Sequence, residues 1–131
     1  MLRYGYFRDL KSGPKLLIWG GPDDMARLYE ALSQVVASEE SQALTDIQGC
    51  MAVDDTTVLL ETVGEAEGIV RDEAEADVFH WRMDEEGWYE FQQLVEPLTR
   101  GAPGHQALQC HTGGDIDVLV SVGEYPGDLK P

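Results

Sequence analysis

The sequence predicts an α+β fold: a two-layer sandwich in which a mostly antiparallel sheet of about six strands carries two amphipathic helices on one face, in the order ββαββ(β)αββ. Three observations point there. Two stretches carry apolar residues at helical spacing, each opened by acidic residues. Several short stretches rich in β-branched or aromatic residues are separated by hairpin-length turns, which makes neighbours antiparallel. Two helices are too few to serve a parallel, doubly wound sheet of that many strands.

Taken in order, Tyr4 to Phe7 reads as an aromatic strand that ends at the turn Ser12-Gly13-Pro14. Leu16-Leu17-Ile18-Trp19 reads as a second strand, stopped by Gly20-Gly21-Pro22. Asp23 and Asp24 supply an N-cap and negative charge to the first helix, where unpaired amides and the macrodipole favour both. Met25, Leu28, Tyr29, Leu32, Val35 and Val36 form its apolar stripe. A polar loop follows from Ser38 to Gln48. Thr57 to Val63 is β-branched and reads as a strand, with Gly68-Ile69-Val70-Arg71 pairing with it across the turn at Gly64 to Glu67. Val78 to Met83 alternates, with Phe79, Trp81 and Met83 on one face and Val78, His80 and Arg82 on the other.

Asp84 starts the second helix, with Glu85 and Glu86 in its first turn. Its stripe is Trp88, Phe91, Leu94, Val95 and Leu98, and Pro97 ends or kinks it. Two strands close the chain, Gln106 to His111 and Ile116 to Val122, around a Gly113-Gly114 turn. In the last strand Ile116, Val118, Val120 and Val122 line one face, while Asp117, Leu119 and Ser121 line the other. Helices on one face leave Leu119, like Leu59 and Val63, in need of another cover. A twofold partner is one way to supply it.

Residues 1–131 suit a single domain, and 43% hydrophobic content is enough for a core without staples. Cys50 and Cys110 are too few for a disulfide scaffold; free thiols and one bridge both remain open. The N-terminus shows no apolar h-region, and no apolar run approaches the roughly 20 residues of a membrane span. The expectation is a cytoplasmic protein with no membrane partner.

Charge is the dominant compositional feature. Fourteen carboxylates face two basic side chains, Arg71 and Arg82, between Asp54 and Glu96, a stretch that holds twelve of the sixteen net negative charges. The first fifteen residues, with Arg3, Arg8, Lys11 and Lys15 against Asp9, are locally basic. An isoelectric point near 4.2 excludes the cationic contacts that nucleic acids need. It favours steered association with a basic protein partner. Asp72, Glu73, Glu75, Asp77, Asp84, Glu85 and Glu86 flank the strand that carries His80 and Arg82, and these nine are the candidate partner-binding residues. A solvated loop is the plain alternative for Asp72 to Asp77. Trp88 and Tyr89 are consecutive on a helix, so one of them can be an exposed anchor.

Catalytic and metal chemistry find little support. Cys110 and His111, with His105 five residues before Cys110 and Cys50 far upstream, are neighbours on a strand and point to opposite faces, so the two do not readily share one ion. No CxxC, HxxxH or EF-hand spacing occurs, and no metal or cofactor is expected. Gly20-Gly21 before a helix lacks a lysine, and Asp23-Asp24 would repel a phosphate. A small enzyme would have to pair a carboxylate with His105 or His111 and offer a deep pocket.

Gly104-His105-Gln106, continuing to Val120-Ser121-Val122-Gly123-Glu124-Tyr125-Pro126, resembles the C-terminal signature of small bacterial proteins of the polymorphic-toxin immunity type. Trp81-Arg82-Met83 through Gly87-Trp88, and Glu96-Pro97-Leu98, are similar in the same families, while Ala107 departs from the aromatic residue of that pattern. The resemblance implies a cytosolic, non-enzymatic inhibitor that masks a cognate toxin. A basic toxin such as a nuclease suits an acidic inhibitor, whose carboxylates compete with phosphate. It further implies that His105 and Glu124 close the final hairpin, with binding as their second reading.

Overall fold

The computed structural model describes residues 1–11, 13–38, 40–101, 103–108 and 116–131. Among the described residues the architecture is α+β, with nine strands in two mixed sheets and two α-helices. The five-stranded sheet is built from β1 (Leu2–Phe7), β2 (Lys15–Gly20), β4 (Cys50–Ala52), β8 (Gly104–Leu108) and β9 (Asp117–Val122), in the spatial order β4-β1-β2-β9-β8. The four-stranded sheet holds β3 (Gln42–Ala43), β5 (Thr57–Thr62), β6 (Gly68–Arg71) and β7 (Val78–Met83), in the order β3-β5-β7-β6.

Four pairs are antiparallel: β1–β2, β3–β5, β6–β7 and β8–β9. Three are parallel: β1–β4, β2–β9 and β5–β7. The strands therefore divide into two sheets where the sequence pattern suggested one. The expected hairpin between β5 and β6 does not form, because β7 lies between them and pairs with both. Its position has a physical cause: β7 carries Phe79 and Trp81, both buried, and the centre of a sheet is where such side chains remove most apolar surface from water. Within the expected polar loop the chain also makes β3 and a 3₁₀ turn at Leu44–Asp46, with β4 following. Elements of two or three residues are too short to show a period.

Helix α1 (Pro22–Ala37) starts two positions earlier than an N-cap at Asp23 suggested. Gly21 is its N-cap residue, and Asp24 in the first turn accepts a hydrogen bond from the Gly21 N–H at 2.8 Å. Asp24 also pairs with Arg27 and with the terminal amine of Met1. Helix α2 (Glu85–Val95) is capped as the sequence predicts, the Asp84 carboxylate accepting from Gly87 N–H at 2.7 Å. Pro97 lies in the 3₁₀ turn Glu96–Arg100 that follows, and Gly101, at φ 96°, closes it.

One core joins both sheets and both helices. It contains Leu2 and Tyr4 of β1, Leu16 and Ile18 of β2, Val58 and Leu60 of β5, and Phe79 and Trp81 of β7. Val118, Val120 and Val122 of β9 complete it beneath Met25, Leu28, Leu32 and Val35 of α1 and Trp88, Phe91 and Val95 of α2. Trp88 packs edge-on to Trp81 at 5.0 Å and donates from Nε1 to the Glu61 carbonyl at 3.2 Å.

A second, smaller cluster lies on the opposite face of the five-stranded sheet, where Phe7, Leu17, Trp19 and Leu119 are buried. Leu10, Val53, Tyr125 and Leu129 pack over it, and Trp19 Nε1 donates to the Pro126 carbonyl at 3.1 Å. Leu119, only 2% exposed, thus has a cover within its own chain and does not call for a second copy. No helix is long and apolar enough to cross a membrane, among the described residues.

Candidate functional site

Strand β7 positions the site. Its inward residues are locked into the core, so His80 and Arg82 point outward by the alternation of the strand. The parallel register sets Glu61 of β5 opposite Arg82 and Leu59 opposite His80, while Val70 of β6 flanks His80 on the other side. Arg82 Nε donates to Glu61 Oε1 at 2.9 Å, and its Nη1 lies 3.7 Å from Glu67. His80 bridges two carboxylates: Nδ1 is 3.1 Å from Glu61 Oε1 and Nε2 is 2.7 Å from Asp72 Oδ1. Ser41 donates to the second Glu61 oxygen at 2.8 Å.

These contacts set the local electrostatics. Burial pushes the Glu61 carboxyl up, but donors from Arg82, Ser41 and His80 outweigh it and hold the group below its ordinary value. Asp72 is held low by His80 first and then by the Glu75 and Ala74 amides, which donate to its Oδ2 at 3.0 Å each. Glu61 in turn holds the Arg82 guanidinium above its ordinary value. Both outward basic side chains of β7 are therefore engaged by carboxylates of the chain itself.

The acidic residues divide. The loop holding Asp72, Glu73, Glu75 and Asp77 precedes β7, and Asp84, Glu85 and Glu86 follow it. A six-residue strand separates the two groups by about 20 Å at roughly 3.3 Å per residue, so they form two lobes at opposite ends of the sheet. Asp54 and Asp55 join the first lobe, since Thr57 N–H donates to the Asp77 carbonyl at 2.8 Å and fixes the two loops side by side. Glu65 and Glu67 join the second, where Glu67 N–H donates to the Arg82 carbonyl at 2.9 Å. Glu73, Glu75, Asp77, Glu85 and Glu86 are exposed and make no ion pair among the described residues. On α2, Trp88 is fully buried and Tyr89 is 60% exposed, so Tyr89 is the outward aromatic, set between Glu86 and Glu90.

Arg71, the other cation of the acidic stretch, stacks at 5.3 Å from the Tyr6 ring and 4.7 Å from Phe79. Its Nη1 donates to the Ala76 carbonyl at 2.6 Å, bracing the first lobe.

A second polar cluster sits on β8 and β9. His105 Nδ1 is 2.9 Å from Glu124 Oε1, and Ser121 Oγ donates to the same oxygen at 2.6 Å. The structure thus joins His105 to Glu124 across the last hairpin. Ser121 is fully buried, and its hydroxyl faces the carboxylate, not the imidazole, so the order of a nucleophile–base–acid triad is absent. Its donation is the main reason that Glu124 is held below its ordinary value.

Cys50 is half-buried, and burial pushes its thiol up to about 12, the reverse of what an attacking thiolate needs. Cys110 and His111 lie outside the described residues. Among the described residues no three histidine, cysteine or acidic side chains are grouped to hold a metal ion. A groove of about 520 Å³ runs beside α1, lined by Arg27, Glu30, Gln34, Ser41, Gln42 and Asp46 with their neighbours, but neither His80 nor His105 lines it.

The sequence alone did not single out Glu61, Ser41 or Glu67. Glu61 was one acid among fourteen, and its place beside His80 follows from the parallel β5–β7 pairing, for which no local pattern exists. Against protein-family models and curated protein sequences, the chain matches none.

Proposed function

We propose that the chain is a non-enzymatic, acidic binding protein of the cytoplasm, an immunity-type inhibitor that masks a basic toxin or nuclease. The observation that carries this reading is the imbalance at the two ends of the four-stranded sheet. The basic side chains there, His80, Arg82 and Arg71, are bound by the chain's own carboxylates, carbonyl or aromatic rings. Glu73, Glu75, Asp77, Glu85 and Glu86 stay exposed and unpaired among the described residues. In this reading His80 and Arg82 organise the surface, and the carboxylates meet the partner. Such a surface repels phosphate and attracts lysine and arginine, and it speeds encounter with a basic protein. The resemblance of the segment from His105 to Pro126 to immunity-type proteins supports the same class.

The test is recovery of the partner from the source cell with tagged protein, followed by binding of the purified pair. Replacing Glu73, Glu75 and Asp77 together by lysine is expected to abolish capture while the far-ultraviolet circular dichroism is unchanged. A variant that captures the same protein equally well overturns the proposal.

A further inference from the structure

We infer that the His80 ring is a proton-dependent pin that ties the acidic loop between β6 and β7 to strand β5. A neutral imidazole has one N–H, whereas the imidazolium has two. Both ring nitrogens of His80 lie within hydrogen-bond distance of carboxylate oxygens, Glu61 Oε1 and Asp72 Oδ1. Ionised carboxylates only accept, so the doubly protonated ring alone satisfies both contacts.

The two carboxylates belong to different elements. Glu61 sits on β5, where Arg82 and Ser41 also donate to it. Asp72 opens the loop, and its other oxygen holds the Ala74 and Glu75 amides in place. The charged groups facing the ring are thus Glu61 from β5, Asp72 from the loop and Arg82 from β7 itself, with Glu67 behind Arg82. Leu59 and Val70, its cross-strand neighbours, are apolar.

Loss of the ring proton leaves one nitrogen lone pair against a carboxylate. Whichever acid keeps the remaining N–H, the bridge from β5 to the loop is cut. Glu61 keeps Arg82 and Ser41, while Asp72 keeps only amides of its own loop. Where Glu61 keeps the N–H, Glu73, Glu75 and Asp77 ride on a loop tied to the sheet by the backbone bonds at its ends and by Arg71; where Asp72 keeps it, the loop stays tied to β7 through the ring but is released from β5. Histidine is the side chain whose charge changes near neutral pH, so the arrangement couples the posture of one acidic lobe to proton concentration.

The experiment is a pH titration of the ¹⁵N-labelled protein by NMR, following the ring nitrogens of His80 and the backbone amides of Ala74 and Glu75. The amides are expected to shift with the midpoint of the ring. Their protection against hydrogen exchange, corrected for intrinsic rate, should fall severalfold above that midpoint. In His80→Gln the shared transition should vanish while the His105 transition remains. Amides that hold still through the His80 titration, that move with a different midpoint, or that keep their transition in His80→Gln overturn the inference. The wild-type exchange measurement decides the matter even if the variant fails to fold.

Discussion

Replacing Leu119 by alanine separates a cover supplied by the chain itself from one supplied by a second copy. Leu119 is 2% exposed, lies opposite Leu17 in the β2–β9 register and packs with Phe7 and Trp19 beneath Tyr125 and Leu129. The substitution removes three carbon groups at about 0.8 kcal/mol each, or about 2.4 kcal/mol of transfer free energy. The cavity left under the C-terminal segment adds to this, and buried leucine-to-alanine changes span about 2–5 kcal/mol. A loss of about 3 kcal/mol is therefore expected. With a urea slope of about 2 kcal/mol/M, the midpoint should fall by roughly 1.5 M with the slope unchanged. Urea unfolding at two widely separated protein concentrations is the assay. The loss should be the same at both, since the cover is intramolecular. A loss below about 1 kcal/mol, or one that depends on protein concentration, would refute the reasoning and restore the case for a dimer.

Three further outcomes are expected. Asp84→Ala removes the acceptor of the Gly87 amide and a negative charge at the start of α2, and should cost about 1 kcal/mol in a urea melt; Asp84→Asn, which keeps an acceptor, should recover most of it. Glu61 and Asp72 are both held below their ordinary values, so the stability they contribute is full above the unfolded carboxylate range of about pH 4 and is lost as pH falls through the lower folded values. The pair Glu61→Gln and Asp72→Asn should flatten that acid limb of the stability curve, and a limb of unchanged slope counts against the bridge through His80. Gly123→Ala should destabilise by about 1 kcal/mol or more, because φ there is 73°, a left-handed conformation that a side chain disfavours; thermal melts of the two proteins measure it.

What the sequence made legible was local. The alternation of Val78 to Met83 placed Phe79 and Trp81 inside and His80 and Arg82 outside, and the Asp84 cap forms; of the second stripe Trp88, Phe91 and Val95 are buried on α2 and Leu98 in the following 3₁₀ turn, while Leu94 is only half-buried. What it hid was long-range. Nothing in residues 57–83 says that β7 rather than β6 lies beside β5, because both β6 and β7 are apolar strands of the right length. Parallel pairing is chosen by the core and not by a turn. With that neighbour unknown, Glu61 had no reason to stand apart from the other acids. The same ignorance left open whether the two acidic groups meet at one end of the sheet; β7 holds them at its two ends. Leu119 seemed to need an outside partner because Tyr125 and Leu129, which cover it, belong to a segment with no periodicity to betray an apolar face.

The most direct test of the account is the affinity for the captured basic partner measured at low and at high salt, by calorimetry on the purified pair. Exposed carboxylates unpaired within the chain predict a dissociation constant that rises on the order of tenfold or more with salt, mostly through a slower association rate. They also predict a weaker salt dependence when Glu73, Glu75 and Asp77 are replaced by glutamine. An affinity indifferent to salt, in the wild type as in that variant, would contradict electrostatic capture by the acidic lobes.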